Sequence, residues 1–305
     1  MFNLRRFLAH WTNWLGLILV LATFGVAIAA PQIAPPIDPK RPADFKVVGR
    51  VTDQTPHPPS DTAPLGTAGG QTDIFYSLVW GVRSALQFGI TTAFATAIFG
   101  TLLGAVSGYL GGLFNSVIMR ITDAFLTMPV IAGVWLIQQL LFPPYNLRSD
   151  TPPIRVMMES LNLNPVVLAF ILFSWMAYAR LVNANVLRLK TADFVLASQA
   201  LGISKPRMIF KHILPNTISP AIVLLARDVG GLVILEAAFT FIGMGAGNVW
   251  GEMLVRSRNW IIGLAGNPFT YWWVYIPPTL ALIIFGIGWN LLGDGLNDVL
   301  NPREH

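Results

Sequence analysis

Six stretches of this chain are apolar over the length that a helix needs to cross a membrane, about 20 residues each. They run from Trp14–Ile33, Leu86–Leu110, Ala124–Phe142, Pro165–Val182, Ile218–Ile242 and Trp272–Leu292. Water is absent from the hydrocarbon core, so each stretch must satisfy its own backbone, which a helix does within the segment. The rest of the composition agrees. The chain is 54% hydrophobic and 11% charged, against about 25% charged in a soluble domain. An all-α integral membrane protein of about six spans is expected. Its net charge of +5 speaks to topology rather than to nucleic acid, because positive residues collect on the cytoplasmic side.

The first apolar run follows Arg5-Arg6 and is followed by Pro31 and Pro35. It is longer than a signal-peptide core and lacks a small-residue cleavage site, so it reads as an uncleaved span. With the N-terminus inside, the cytoplasmic side receives Arg5, Arg6, Arg120, Arg180, Arg188, Lys190, Lys205, Arg207, Lys211 and Arg303. The short loops opposite receive only Arg148, Arg155, Arg256 and Arg258. Both termini are therefore expected in the cytoplasm. The segment from Pro35 to Asp73 reads as an irregular outer loop, rich in Pro, Asp, Gly and Thr. Phe75, Tyr76 and Trp80 after it suit the membrane interface. Gly293-Asp294-Gly295 reads as a polar exit from the last span.

Enzyme signatures are absent. There is no phosphate-binding Gly-x-x-x-x-Gly-Lys-Ser/Thr, no His-Glu-x-x-His and no Gly-x-Ser-x-Gly. His10, His57, His212 and His305 are scattered, and with no cysteine the chain has no disulfide, thiolate metal site or Cys nucleophile. Catalysis, a metal and a cofactor bound by this chain are not expected. Charges within spans are costly and so are candidates for function. Arg227, Asp228 and Glu236 all fall in the fifth span. Arg227 and Asp228 read either as structural charges, paired with each other or with neighbouring helices, or as substrate contacts on a translocation pathway. Glu236 lies eight residues after Asp228, roughly on the same helical face, and reads either as lining a polar translocation pathway or as holding a bend near Gly230-Gly231. Asp123 is expected to pair with Arg120, three residues earlier. Gly100, Gly104 and Gly108, spaced by four, let a second helix approach closely.

One loop between spans is longer and more structured than topology alone requires. Ala192–Leu201 is helix-prone and Gly202 supplies its stop. Ser204 can cap a second helix with Pro206 in its first turn, and Pro215 is expected to break that helix before the fifth span. Ala197, Ala200, Leu201, Ile203 and Ile209 give the loop apolar surface; Lys205, Arg207, Lys211 and His212 give it charge. Such a helix–turn–helix reads as a docking surface for a cytoplasmic partner.

At these residues the chain resembles the membrane subunit of a binding-protein-dependent ABC importer. Those permeases carry a loop of the form Glu-Ala-Ala, three residues, Gly, and Leu-Pro ending thirteen residues beyond the Gly. Gly202, Leu214 and Pro215 keep that spacing and Ala197 keeps the first Ala. Leu196 stands at the Glu position and Ser198 at the second Ala, so apolar fit is expected to matter more than a Glu-mediated contact. The resemblance covers nearly the whole chain and is closest to the second permease of the dipeptide/oligopeptide/nickel importers. It rests on Gly81-Val82-Arg83-Ser84, Gly108-Tyr109-Leu110-Gly111-Gly112, Met119-Arg120-Ile121-Thr122-Asp123, Glu236-Ala237-Ala238, Trp250-Gly251-Glu252-Met253 and Asn290-Leu291-Leu292-Gly293-Asp294. The family shows a different pattern where this chain has Thr67-Ala68-Gly69-Gly70-Gln71-Thr72-Asp73.

The resemblance implies a type I ABC importer permease in a prokaryotic plasma membrane. It would have a first span and outer loop over 1–83, a permease core over 84–296 and a tail over 297–305. It implies a heterodimer with a similar permease, two ATPase subunits that use ATP and Mg, an extracytoplasmic substrate-binding protein and surrounding lipid. Residues 191–216 would be the coupling loop, with Leu196, Ala197, Ser198, Ala200, Leu201, Gly202, Ile203, Leu214 and Pro215 giving shape and apolar fit. Lys205, Arg207 and Lys211 would give the rim charge. The implied cargo is peptides or related small solutes, nickel among them. A secondary transporter driven by ions through Asp228 and Glu236 is the competing class, although no inverted repeat supports it.

Overall fold

A computed structural model describes residues 7, 10–141, 165–244, 248–262 and 268–300. Arg5, Arg6, Phe142, Arg148, Arg155, Arg303 and His305, all named above, lie outside the described residues. The helices are α1 (Trp11–Ile33), α2 (Ile74–Leu110), α3 (Gly112–Leu126), α4 (Val130–Leu141), α5 (Pro165–Ser174) and α6 (Met176–Leu189). Then come α7 (Asp193–Ala200), α8 (Lys205–Arg207), a π-helical turn at Met208–Ile213, α9 (Leu214–Thr217), α10 (Ser219–Phe241), α11 (Val249–Ile262) and α12 (Trp272–Leu300). A two-residue hairpin, β1 (Thr67–Ala68) and β2 (Thr72–Asp73), pairs antiparallel ahead of α2.

Among the described residues, four helical stretches are long and apolar enough to cross a membrane, and six if each of two bent pairs is one span. The expected spans are recovered with three differences. The second starts at Ile74 instead of Leu86, because Asp73 caps it: its Oδ1 accepts the Tyr76 N–H at 3.2 Å. The third is two helices, α3 and α4, bent by 103°. Pro129 has no N–H and disfavours helical backbone at Met128 before it, and its carbonyl instead starts α4 by accepting from Gly133 at 3.0 Å. The sixth runs on as helix through Gly293-Asp294-Gly295, where a polar exit was expected.

The chain forms two compact units. One comprises 1–13, 91–228 and 293–305; the other comprises 14–90 and 229–292. In the first, α2 lies against α6 along the glycine edge. A Cβ at Gly100 would overlap the Trp175 carbonyl, one at Gly104 the Ala179 carbonyl, and one at Gly108 would stand 3.1 Å from Val186. Side chains there would force the backbones apart, so the four-residue spacing is a packing device. Gly111 and Gly112, at φ +70° and +58°, turn the chain from α2 into α3 through backbone space that side chains disfavour.

The second unit contains the 34–73 loop and brings together three motifs far apart in sequence. The indole of Trp250, 1% exposed, fills the place of the missing Gly81 side chain and donates to the Leu78 carbonyl at 3.2 Å. Next to it, Gly251 lets α11 close on α10, where a Cβ would stand 3.0 Å from Ala237 Cα. Tyr76 and Trp80, each 2% exposed, do not face the membrane interface as expected. They hold the loop instead: Tyr76 Oη donates to the Pro42 carbonyl at 2.9 Å and Trp80 Nε1 to the Ala34 carbonyl at 3.0 Å.

Candidate functional site

The 191–217 segment is two helical pieces around Gly202, as its sequence suggests. Gly202 sits at φ +76° with no atom within 4 Å of where a Cβ would be, so its role is conformational and not one of space. It donates its N–H to Gln199 at 2.9 Å, while Ile203 N–H reaches back to Ser198 at 3.3 Å, closing the carbonyl end of α7. Ser204 occupies the cap position before α8, yet its hydroxyl makes no capping bond; only its carbonyl is used, by Met208 N–H at 2.9 Å.

Pro215 does not end the second piece. It lies inside α9, and the break falls at Ile218, where the axis turns by 63° into α10. A proline ring clashes with the carbonyl four residues earlier, here that of Lys211. The π-helical turn at Met208–Ile213 widens the backbone there and relieves that clash while keeping the helix continuous.

The segment has two faces. Val195, Met208 and Ile213 are fully buried and Ile209 is 5% exposed, packed with Ala105, Tyr109, Val182 and Val186 of α2 and α6. Ile203 and Leu214 pack partly on the same core. Burial of this kind stabilises by about 1.5–3 kcal/mol per large side chain. Leu196, Ala197, Ala200, Leu201, Lys205, Arg207, Lys211 and Pro215 face away, with Leu201 83% exposed; Ser198 is half-buried and its hydroxyl donates to the Phe194 carbonyl at 2.7 Å. Ile209, Ile203 and Leu214 thus serve the inner face, not an outer one. Phe194 and Phe210, 43% and 55% exposed, belong to the outer face and were not singled out by sequence.

Polar side chains tie the segment's root to the spans. Lys190 Nζ donates to the Tyr109 carbonyl at 2.7 Å, where the last carbonyls of α2 carry partial negative charge. About two turns earlier, the buried Asn183 amide donates to Asn115 Oδ1 at 2.6 Å and Ser107 Oγ at 3.0 Å, joining α6 to α3 and α2. Sequence gave no signal for this hub, since its partners lie 68 and 76 residues away.

Of the two structural readings for the intramembrane charges, pairing with a neighbouring helix holds for Arg227. Arg227 pairs with Asp294 of α12, not with Asp228. Asp228 neighbours the buried Tyr178 hydroxyl. Glu236 is fully buried, accepts from Thr240 Oγ1 at 2.9 Å and lies beside Asn248. Asp123 pairs with Arg180 at 2.7 Å and not with Arg120. The described residues contain no group of His, Cys, Asp and Glu that could hold a metal.

The helices define a membrane protein by their length and composition, and comparison with known proteins gives its class. Residues 100–305 match the family of binding-protein-dependent transport system inner membrane components. The chain belongs to that family: it is a permease subunit of the inner membrane and not an enzyme. It is 30% identical to a dipeptide transport system permease protein of Alkalihalophilus pseudofirmus, over 94% of this chain and 84% of the relative. It is 30% identical to a glutathione transport system permease protein of Pectobacterium atrosepticum, over 98% and 89%. It is 28% identical to an oligopeptide transport system permease protein of Bacillus subtilis, over 98% and 88%. Family membership removes the ion-driven secondary transporter from consideration.

Proposed function

We propose that this permease carries short peptides, that it works as a heterodimer with a similar permease, and that two cytoplasmic ATPase subunits drive it with ATP and Mg. The names of its relatives support peptides as cargo, and a binding protein outside the membrane would deliver them. The distribution of Lys and Arg supports a cytoplasmic side for both termini and the 191–217 segment.

The observation that carries this reading is the two-sided 191–217 segment. Its inner face is buried on α2 and α6, so a push on the segment reaches the spans without slack. Its outer face offers Phe194, Leu196, Leu201 and Phe210 as apolar anchors, with Lys205, Arg207 and Lys211 around them. Anchors ringed by charge are the pattern of an interface whose apolar centre holds and whose rim steers. A groove in each ATPase would take this face, and ATP-driven closure would bias the spans between two states with different contacts.

Co-purification with the ATPase subunits and peptide-stimulated ATP hydrolysis in liposomes test the reading. Retention of the ATPases by a chain carrying Leu196→Asp and Leu201→Asp would overturn the assignment of this face. Uptake of nickel or another solute with no uptake of di- to pentapeptides would overturn the cargo.

A further inference from the structure

The 34–73 loop, α2 and α11 line an open pocket of ≈540 Å³ within the second unit, about equally polar and apolar, in which Asp44 and Arg256 are exposed. That size lies within the range of small-molecule sites, about 300–1,000 Å³. Asp44, Phe45, Glu252 and Arg256 line it, with Ser84 and Val249. Tyr76, Trp80 and the hairpin account for the loop's own attachment, and none of that network uses these carboxylates.

The charges in the cavity do not cancel. Glu252 and Arg256 lie one turn apart on α11, the spacing at which an acid and a base usually pair. Among the described residues neither closes an ion pair within 4.0 Å; the Arg256 guanidinium instead lies 4.2 Å from the centre of the Phe45 ring. Lys46, the nearest base in the loop's sequence, is committed to Asp73 at 3.4 Å. Two carboxylates therefore face the cavity against one guanidinium, leaving one surplus negative charge. Glu252 is half-buried, and burial first, with Asp44 adding to it, raises its carboxyl above the ordinary range while Arg256 pulls the other way. A carboxylate in that setting is stabilised by an arriving cation that can also donate hydrogen bonds.

We propose that this cavity binds the primary ammonium group of the transported solute, with Asp44 and Glu252 accepting from it. Phe45, Val47, Val51 and Val249 leave apolar room for an adjoining small side chain. An ammonium offers three donors in a compact head, which suits two acceptors and the Ser84 hydroxyl. Under the peptide reading, on which the cargo but not the ammonium chemistry rests, the group is the peptide's N-terminus. The cavity would then be a waystation that orients the peptide by its amino end.

The full chain in nanodiscs, titrated with alaninamide, trialanine and N-acetyl-trialanine and followed by saturation-transfer NMR, tests this. Binding of alaninamide and trialanine, with at least a tenfold loss on acetylation and in Glu252→Gln and Asp44→Asn, is expected. Both substitutions are near-isosteric, and circular dichroism checks that each variant keeps its helices. Equal binding of the acetylated peptide, or unchanged binding in both variants, would overturn the proposal, as would displacement of alaninamide by millimolar Mg²⁺ or Ca²⁺ with tighter metal binding. Uptake by the assembled importer separates the two readings. Alaninamide binding without peptide uptake sinks the peptide cargo and keeps the ammonium site. Peptide uptake with KM unchanged in both variants keeps the cargo and sinks the site.

Discussion

Two parts of this permease lie between spans and carry most of its non-membrane chemistry, and they are held in opposite ways. The 191–217 segment is held by apolar burial, through Val195, Met208 and Ile213. The 34–73 loop is held by single hydrogen bonds of fixed geometry. Tyr76 and Trp80 reach its carbonyls, and Gln71, 5% exposed, donates to Thr55 at 2.7 Å and accepts from Thr67 at 3.1 Å. Apolar burial is non-directional and tolerates small shifts, which suits a part that must be pushed. A polar network fails when any member moves, which suits a part that must hold a shape. The difference predicts where substitutions should cost transport and where they should cost structure.

Gly202→Val should have the largest effect. No clash awaits the side chain, but a β-branched residue at φ +76° forces the turn to another geometry and misaligns both faces. Peptide uptake should fall to background while the chain still inserts. Gly202→Asn, which tolerates that conformation, should restore most uptake. Failure of asparagine to do so would show that the glycine matters for something other than its backbone.

Ile213→Ala should destabilise by about 2–5 kcal/mol, the cost of a large-to-small change in a core. Leu201→Ala on the outer face should change stability by less than about 0.5 kcal/mol and still lower ATPase stimulation. Thermal unfolding of the two variants beside their uptake rates tests the two-faced reading; equal loss of stability would break it.

In the loop, Gln71→Ala removes the side-chain bonds and keeps a strained backbone, since Gln71 is the one non-glycine residue with positive φ (56°) among the described residues. A loss of about 1–3 kcal/mol follows from unpaired buried polar groups. Gln71→Gly loses the same bonds but frees the backbone, so its loss should be smaller. Proteolysis of the loop ranks them, and the opposite order would assign the residue's importance to the side chain alone.

The smallest effect concerns acid. Asp53 is held below the ordinary carboxylate range, first by its bond with His57 at 3.0 Å and then by the Thr55 N–H. Its folded value is depressed, so its contribution is present above the unfolded value, about 3.9, and fades as pH falls through the lower folded one. Exchange of the Thr55 amide should quicken over that acid window, and Asp53→Asn should flatten the dependence.

Much of this was legible from sequence because it is local. Apolar runs located the spans, glycines every fourth residue marked the α2–α6 contact, and Gly202 marked the turn. What sequence misplaced depended on distant partners or on competing local rules. Asp123 had Arg120 one turn away but pairs with Arg180, and which neighbouring helix would answer Arg227 could not be read until Asp294 stood beside it. α12 also continues past Gly293, which sequence took for an end. Pro129 carries the signal for the break where two helices meet at 103°, but a proline inside an apolar span is tolerated often enough that its presence alone does not reveal one. Pro215 erred in the other direction, because a π-helical turn absorbed the proline that should have ended the helix.

The glycine edge between α2 and α6 also limits how this part of the molecule can move. Because Gly100 and Gly104 place one backbone directly on the other, sliding either helix lengthwise by a residue would carry a side chain into the Trp175 or Ala179 carbonyl. Shear along that seam is blocked, while rotation of the joined pair is not. The two helices are thereby a single beam, and any displacement delivered at the end where Lys190 grips Tyr109 must emerge as a swing.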